Sequence, residues 1–130
     1  MPHLIYEITD NLDTPETDIP SLLKKSNQVL IDQGGVFPIG GIRSRVIWLK
    51  DYCVADGTAD DAFVHASLKV GAGRSEAEKK KACDELFAMI TEHFAAVFAQ
   101  RGLALSMEFS EFSEAGTWKK NNIHARYKKA

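Results

Sequence analysis

The chain has 130 residues, of which 45% are hydrophobic and 26% charged, enough for one domain of ordinary size with a real core and no sign of disorder. Its 16 Lys and Arg against 18 Asp and Glu leave a formal charge of −2. That balance excludes a general attraction to nucleic acid or to an anionic membrane, so an anionic ligand has to be met by a local group of arginines.

From Pro2 to Ile8, the apolar residues Leu4, Tyr6 and Ile8 alternate with His3 and Glu7, a period of two that predicts a strand with one buried face. Asn11 to Thr17 is polar and contains Pro15, a loop. Asp18 then caps a helix with Pro20 in its first turn, where a missing N–H costs little. Leu22, Leu23, Val29 and Leu30 form its apolar stripe, and Gly34-Gly35 ends it. After Phe37-Pro38 and Gly40-Gly41, the β-branched and aromatic run Ile42 to Leu49 predicts a second strand. A third runs from Ala62 to Val70, expected antiparallel to the second through a turn at Asp56-Gly57. Ser75 and Glu78 form a capping box, and Ala82, Cys83, Leu86, Phe87, Ile90, Phe94, Val97 and Phe98 continue one long amphipathic helix up to Gly102. Leu103, Leu105, Met107 and Phe109 alternate as a fourth strand, and the tail from Thr117 to Ala130 is basic and weakly patterned.

Strand, loop, helix, strand therefore occurs twice, over about residues 2–60 and 61–112, followed by a tail, 113–130. Two βαβ units building one sheet is the expected result, an α+β domain spanning 1–130. Two helices cover one face of four strands. The other face, to which Ile5 and Leu105 are assigned, stays wet unless subunits meet there, so an oligomer is expected.

Pro2 is the first candidate for chemistry. Removal of Met1 would leave a secondary amine, a group no side chain supplies, with an unperturbed pKa of about 8. Burial or nearby cations lower that value toward neutrality and make it a general base. Pro2 is equally compatible with chance, because proline is common.

Gly71-Ala72-Gly73-Arg74-Ser75 joins a strand to a helix N-terminus and combines backbone N–H groups, a positive dipole end and a guanidinium, the makings of an anion site. A plain tight turn with a solvated Arg74 is the simpler alternative. The segment lacks the lysine of a P-loop, and a lone GxG is no dinucleotide fingerprint. Arg43 and Arg45 lie on one side of the second strand, opposite Ser44; they suit carboxylates, or guard a sheet edge. His3, His65, His93 and His124 show no metal-ligand spacing, and Cys53 and Cys83 have no CxxC or Cys/His pattern, so neither metal nor disulfide framework is expected. Asp60-Asp61, Glu108, Glu111 and Glu114 read as solvated carboxylates. Glu7 and Asp10 argue against a signal peptide, no apolar run nears the ~20 residues of a membrane span, and a cytoplasmic location is expected.

Met1-Pro2 opening a strand, the Gly-x-Gly-Arg-Ser turn before a capped helix and the paired βαβ units together resemble the tautomerase superfamily of the 4-oxalocrotonate tautomerase type. Pro2-His3, Phe37-Pro38, Gly41-Ile42-Arg43-Ser44-Arg45, Ala55-Asp56-Gly57, Ala62-Phe63-Val64-His65, Gly71 to Ser75, and Asn121-Asn122 with His124-Ala125 resemble the 5-carboxymethyl-2-hydroxymuconate isomerase family over nearly the whole chain. The resemblance implies the tautomerase fold, a four-stranded mixed sheet with two helices on one face and a short additional strand or hairpin. It also implies a homotrimer with active sites near subunit boundaries and neither metal nor organic cofactor. The expected activity is that of an isomerase in homoprotocatechuate (4-hydroxyphenylacetate) catabolism, with a small carboxylated dienol as its partner and neither nucleic acid nor membrane. Pro2 would carry the proton from the 2-hydroxyl to C5, and Arg43 and Arg74 would handle the substrate and lower the Pro2 pKa. Asn122 and His124 are candidates for contribution by a neighbouring subunit. The stretches Leu12–Ile19 and Glu114–Trp118 depart from the pattern and bear on substrate choice. Another keto-acid reaction of the same fold, decarboxylation or hydration, and a non-catalytic oligomeric binding module are the alternatives.

Overall fold

The N-terminal alternation produces β1 (His3–Thr9), in which Leu4, Tyr6 and Ile8 are fully buried while His3, Ile5 and Glu7 point to the opposite face. The computed structural model describes residues 1–128. Asp18 caps α1 (Ile19–Ile31) by accepting the Ser21 N–H at 3.4 Å, and Leu22, Ser26 and Leu30 form its buried stripe. The chain turns back through Gly34 and Gly35, both at positive φ, into β2 (Arg43–Leu49). β3 (Ala62–Gly71) follows a long connection and leads through Gly73 to α2 (Glu76–His93), α3 (Ala95–Gln100) and β4 (Leu103–Phe112).

The sheet order is β2-β1-β3-β4. Strand β1 pairs parallel with β2 and antiparallel with β3, and β3 pairs parallel with β4, so two βαβ units meet along the β1/β3 seam. The expected antiparallel pairing of β2 with β3 is therefore wrong. The Asp56-Gly57 turn does form, with the Gly57 N–H donating to Val54 O at 2.9 Å, but it lies in a connection that carries the chain past β1 to the sheet's other half.

Helices α1 and α2 pack on one face. Leu4, Tyr6, Ile8, Val64, Ala66 and Leu68 from the sheet meet Leu22, Leu30, Leu86, Ile90 and Phe94. Each fully buried Leu, Ile, Val or Phe there contributes about 1.5–3 kcal/mol, whereas the exposed α2 ion pairs Lys80–Asp84 and Lys81–Glu85 add little. A buried polar link, Tyr6 Oη to Ser26 Oγ at 2.6 Å, is completed by Ser26 donating to Leu22 O.

Three further expectations change. Leu105 pairs with Val64 and so belongs to the helix-covered face, while Ile5, Ile47 and Phe63 are among the apolar residues of the outer face. The long helix breaks at Phe94, whose ψ of 11° departs from helical geometry while its ring is fully buried. The additional strand or hairpin has no counterpart among the described residues, where the segment after β4 holds only the 3-10 turns Glu114–Gly116 and Ile123–Tyr127. Among the described residues no helix is long and apolar enough to cross a membrane.

Candidate active site

Strand pairing fixes the chain's beginning. Pro2 is buried, and its carbonyl accepts the Arg43 N–H at 3.1 Å, extending the β1/β2 ladder by one residue. Met1 follows outward and lines a cavity of about 160 Å³. Pro38 and Gly41 form one wall of it, Gly71 and Arg74 from the end of β3 another, and Glu114, Lys119 and His124 the third. A larger cleft of about 430 Å³ lies across Pro38 and His124, but Ile31, Phe37 and Ile39 line much of it. Opposing charges converge in the smaller one.

Arg74 is held from three sides. Its Nε donates to Val36 O at 3.0 Å, its Nη1 donates to Gly71 O at 2.8 Å, and its guanidinium carbon sits 4.6 Å from the centre of the Phe37 ring. Phe37 is itself buried, so the stack rests on the core. Gly73, at φ +122°, supplies the backbone shape that brings Arg74 round to the cavity before α2 begins. The helix N-terminus itself is occupied: Ser75 Oγ accepts the Glu78 N–H, and Glu78 Oε1 accepts the Ser75 N–H. The anion-binding potential of this turn thus lies in the guanidinium, with two of its five N–H donors committed to carbonyls.

Arg43 reaches Met1 from the neighbouring strand, with Nη1 3.1 Å from Met1 Sδ and 3.4 Å from Gly41 O. Arg45 shares its sheet face but turns to His3, with Nη1 3.2 Å from Nδ1. Arg43 and Arg74 thus both lie near Met1, next to Pro2, while Arg45 turns elsewhere.

The tail completes the enclosure. Asn121 Nδ2 donates to Gly40 O at 2.8 Å, and the Ile123 N–H donates to Asn121 Oδ1 at 2.6 Å. Gly40 is buried, and a Cβ there would lie 2.8 Å from both His124 Cα and N, so only a glycine lets the tail lie this close. His124, expected as a contribution from a neighbouring subunit, lines the cavity of its own chain; Asn122 is exposed and does not. Lys119 was not singled out in the sequence, Glu114 was read as a solvated carboxylate, and Asn121 stood only in a block of the resemblance. They lie beyond the last strand without periodicity.

These charges act on the chain terminus. Burial, then the cations of Arg74 and Lys119, hold the Met1 amine below its ordinary range; Glu114 opposes them, and Arg43 adds to the lowering. Such a site can favour a neutral amine and bind carboxylates at once. Among the described residues no three His, Cys, Asp or Glu side chains are grouped to hold a metal ion.

The family model described as CHMI, 5-carboxymethyl-2-hydroxymuconate isomerase, matches residues 2–127. The chain belongs to that family, and it is an isomerase. The 5-carboxymethyl-2-hydroxymuconate Delta-isomerase of Escherichia coli is 46% identical over 128 residues, covering 98% of this chain and 100% of that protein. The crystal structure of a 5-carboxymethyl-2-hydroxymuconate isomerase from Deinococcus radiodurans R1 is 62% identical, with a TM-score of 0.93 over 98% of this chain and 95% of that one. A fused 4-OT solved as a wild type symmetric trimer, 16% identical, superposes with a TM-score of 0.65 over 91% of this chain and 93% of that one, which shows the shared tautomerase fold.

Proposed function

We propose that this isomerase converts 5-carboxymethyl-2-hydroxymuconate to its conjugated 2-oxo isomer, in homoprotocatechuate catabolism, with the Pro2 nitrogen as proton carrier once Met1 is removed. The observation that carries this reading is the meeting of the chain terminus with Arg43, Arg74 and Lys119 beside one small cavity. With Met1 gone, the terminal nitrogen moves one residue inward, to the buried position that the β1/β2 ladder fixes.

Neutral Pro2 takes the proton of the 2-hydroxyl. The oxygen lone pair forms the C2=O bond, the C2=C3 pair moves to C3=C4, and the C4=C5 pair takes a proton at C5 from the Pro2 ammonium. Atoms and electrons balance within the substrate and Pro2. Arg43 holds the 2-oxo acid end and Arg74 a far carboxylate, both as charge-assisted hydrogen bonds. The same cations disfavour the ammonium form of Pro2, which keeps it a base near neutral pH. A homotrimer packed through the outer sheet face is part of the reading; Ile5, Ile47 and Phe63 on that face and the trimeric fold relative support it.

Ultraviolet absorbance follows loss of the dienol. The processed protein, verified by mass, turns over substrate, and a form with Met1 retained or the terminus acetylated loses at least about three orders of magnitude in kcat, as expected when the essential base is removed. Equal turnover by the blocked protein refutes the Pro2 mechanism.

A further inference from the structure

We propose that Lys119, held in the free site by Glu114, binds the third carboxylate of a tricarboxylate substrate and so sets the preference for three carboxylates over two. The inference rests on the reaction proposed above, whose substrate carries three carboxylates. Arg43 and Arg74 account for two of them.

Lys119 lines the cavity with Arg74, while Arg43 reaches Met1 at its edge, and Lys119 comes from a segment beyond the last strand. Its Nζ lies 3.6 Å from Glu114 Oε2, and Glu114 lines the same cavity, with Oε1 3.5 Å from where a Cβ on Gly71 would be. A carboxylate thus already sits against Lys119 in a cavity that Arg74 also lines. The pair is long and exposed on both sides, so it contributes little and yields at little cost to an incoming carboxylate. Glu114 also offsets the positive charge of Arg74 and Lys119 at this cavity. A dicarboxylate satisfied by the two arginines leaves the Lys119–Glu114 pair in place; a tricarboxylate replaces it. The Lys119 stem is tied to the site through the tail, which Asn121 fastens to Gly40.

The test compares 5-carboxymethyl-2-hydroxymuconate with 2-hydroxymuconate, the corresponding dicarboxylate, and reads the ratio of the two kcat/KM values. Lys119→Met lowers that ratio about tenfold or more, chiefly through KM of the tricarboxylate, because one hydrogen bond to a charged group is lost. Lys119→Arg restores most of it. Glu114→Gln shifts the ratio the opposite way, since the competing carboxylate is gone, and general loosening of the tail cannot produce opposite signs. A Lys119→Met ratio within about twofold of the unaltered protein overturns the proposal. Calorimetric binding of propane-1,2,3-tricarboxylate and glutarate, neither of which can ketonise, reads the same preference without turnover. Lys119-dependent preference for the tricarboxylate in a protein that ketonises neither substrate refutes the reaction and keeps the subsite. Turnover with an unmoved ratio refutes the subsite and keeps the reaction.

Discussion

Replacing Arg74 separates the two tasks assigned to it. In Arg74→Ala the substrate loses a charge-assisted hydrogen bond, worth about 1.5–3 kcal/mol, which corresponds to about 10- to 150-fold in kcat/KM. The chain terminus simultaneously loses the cation that, after burial, does most to hold the Met1 amine down, and the same repulsion is expected to act on the Pro2 amine one residue inward. Without that repulsion the ammonium form is favoured, the amine pKa rises, and the acid limb of kcat/KM moves to higher pH. Arg74→Lys keeps a positive charge but loses the fork that Val36 O and Gly71 O align. It therefore retains more of the acid limb's original position than the alanine variant while still losing affinity. The assay is the pH–rate profile of dienol loss for all three proteins, with thermal midpoints measured in parallel, since the freed carbonyls and the lost stack on Phe37 also cost stability. An acid limb that does not move in Arg74→Ala refutes the electrostatic argument, and a fall in kcat/KM of less than about threefold refutes the binding role.

Two other perturbations probe the scaffold. Gly40→Ala places a Cβ 2.8 Å from the His124 backbone; the tail yields before the core does, so KM rises severalfold while the thermal midpoint falls by no more than about 4 °C, and an unchanged KM contradicts the enclosing role of the tail. Tyr6→Phe removes a buried hydroxyl but leaves Ser26 bonded to Leu22 O, so the midpoint drops by about 2–5 °C, equivalent to 0.5–1.5 kcal/mol, with kcat unchanged; a loss of turnover in the folded variant shows that this network reaches the site.

Elements with strong local signals were legible in the sequence. The alternation of Leu4, Tyr6 and Ile8, the capping role of Asp18 and the Ser75/Glu78 box all appear where local chemistry places them. Pairing was less legible, because Asp56-Gly57 is a real turn but nothing local says that β1 will lie between β2 and β3. The break at Phe94 carries no proline or glycine; it follows from burying one ring against the sheet, a tertiary demand. At the candidate site, Pro2 and Arg43 drew notice at the start of β1 and β2, and Arg74 in the glycine turn between β3 and α2. Lys119 did not, and Glu114 read only as a solvated carboxylate, because the tail has no period and takes its place by packing on Gly40.

The proposed chemistry also explains why the tail should carry both signs of charge. Each cation near Pro2 strengthens carboxylate binding and lowers the amine pKa together, so affinity and basicity cannot be raised independently by adding arginine or lysine alone. A base whose pKa falls far below the working pH is always deprotonated but accepts protons poorly. Glu114 breaks this coupling: it opposes the cations at the terminus in the empty site and pairs with Lys119. When a third substrate carboxylate takes its place at Lys119, the negative charge beside the amine is replaced rather than lost. At Lys119 the anionic partner is thus exchanged, and the change that the amine feels on binding comes chiefly from the carboxylates that reach Arg43 and Arg74.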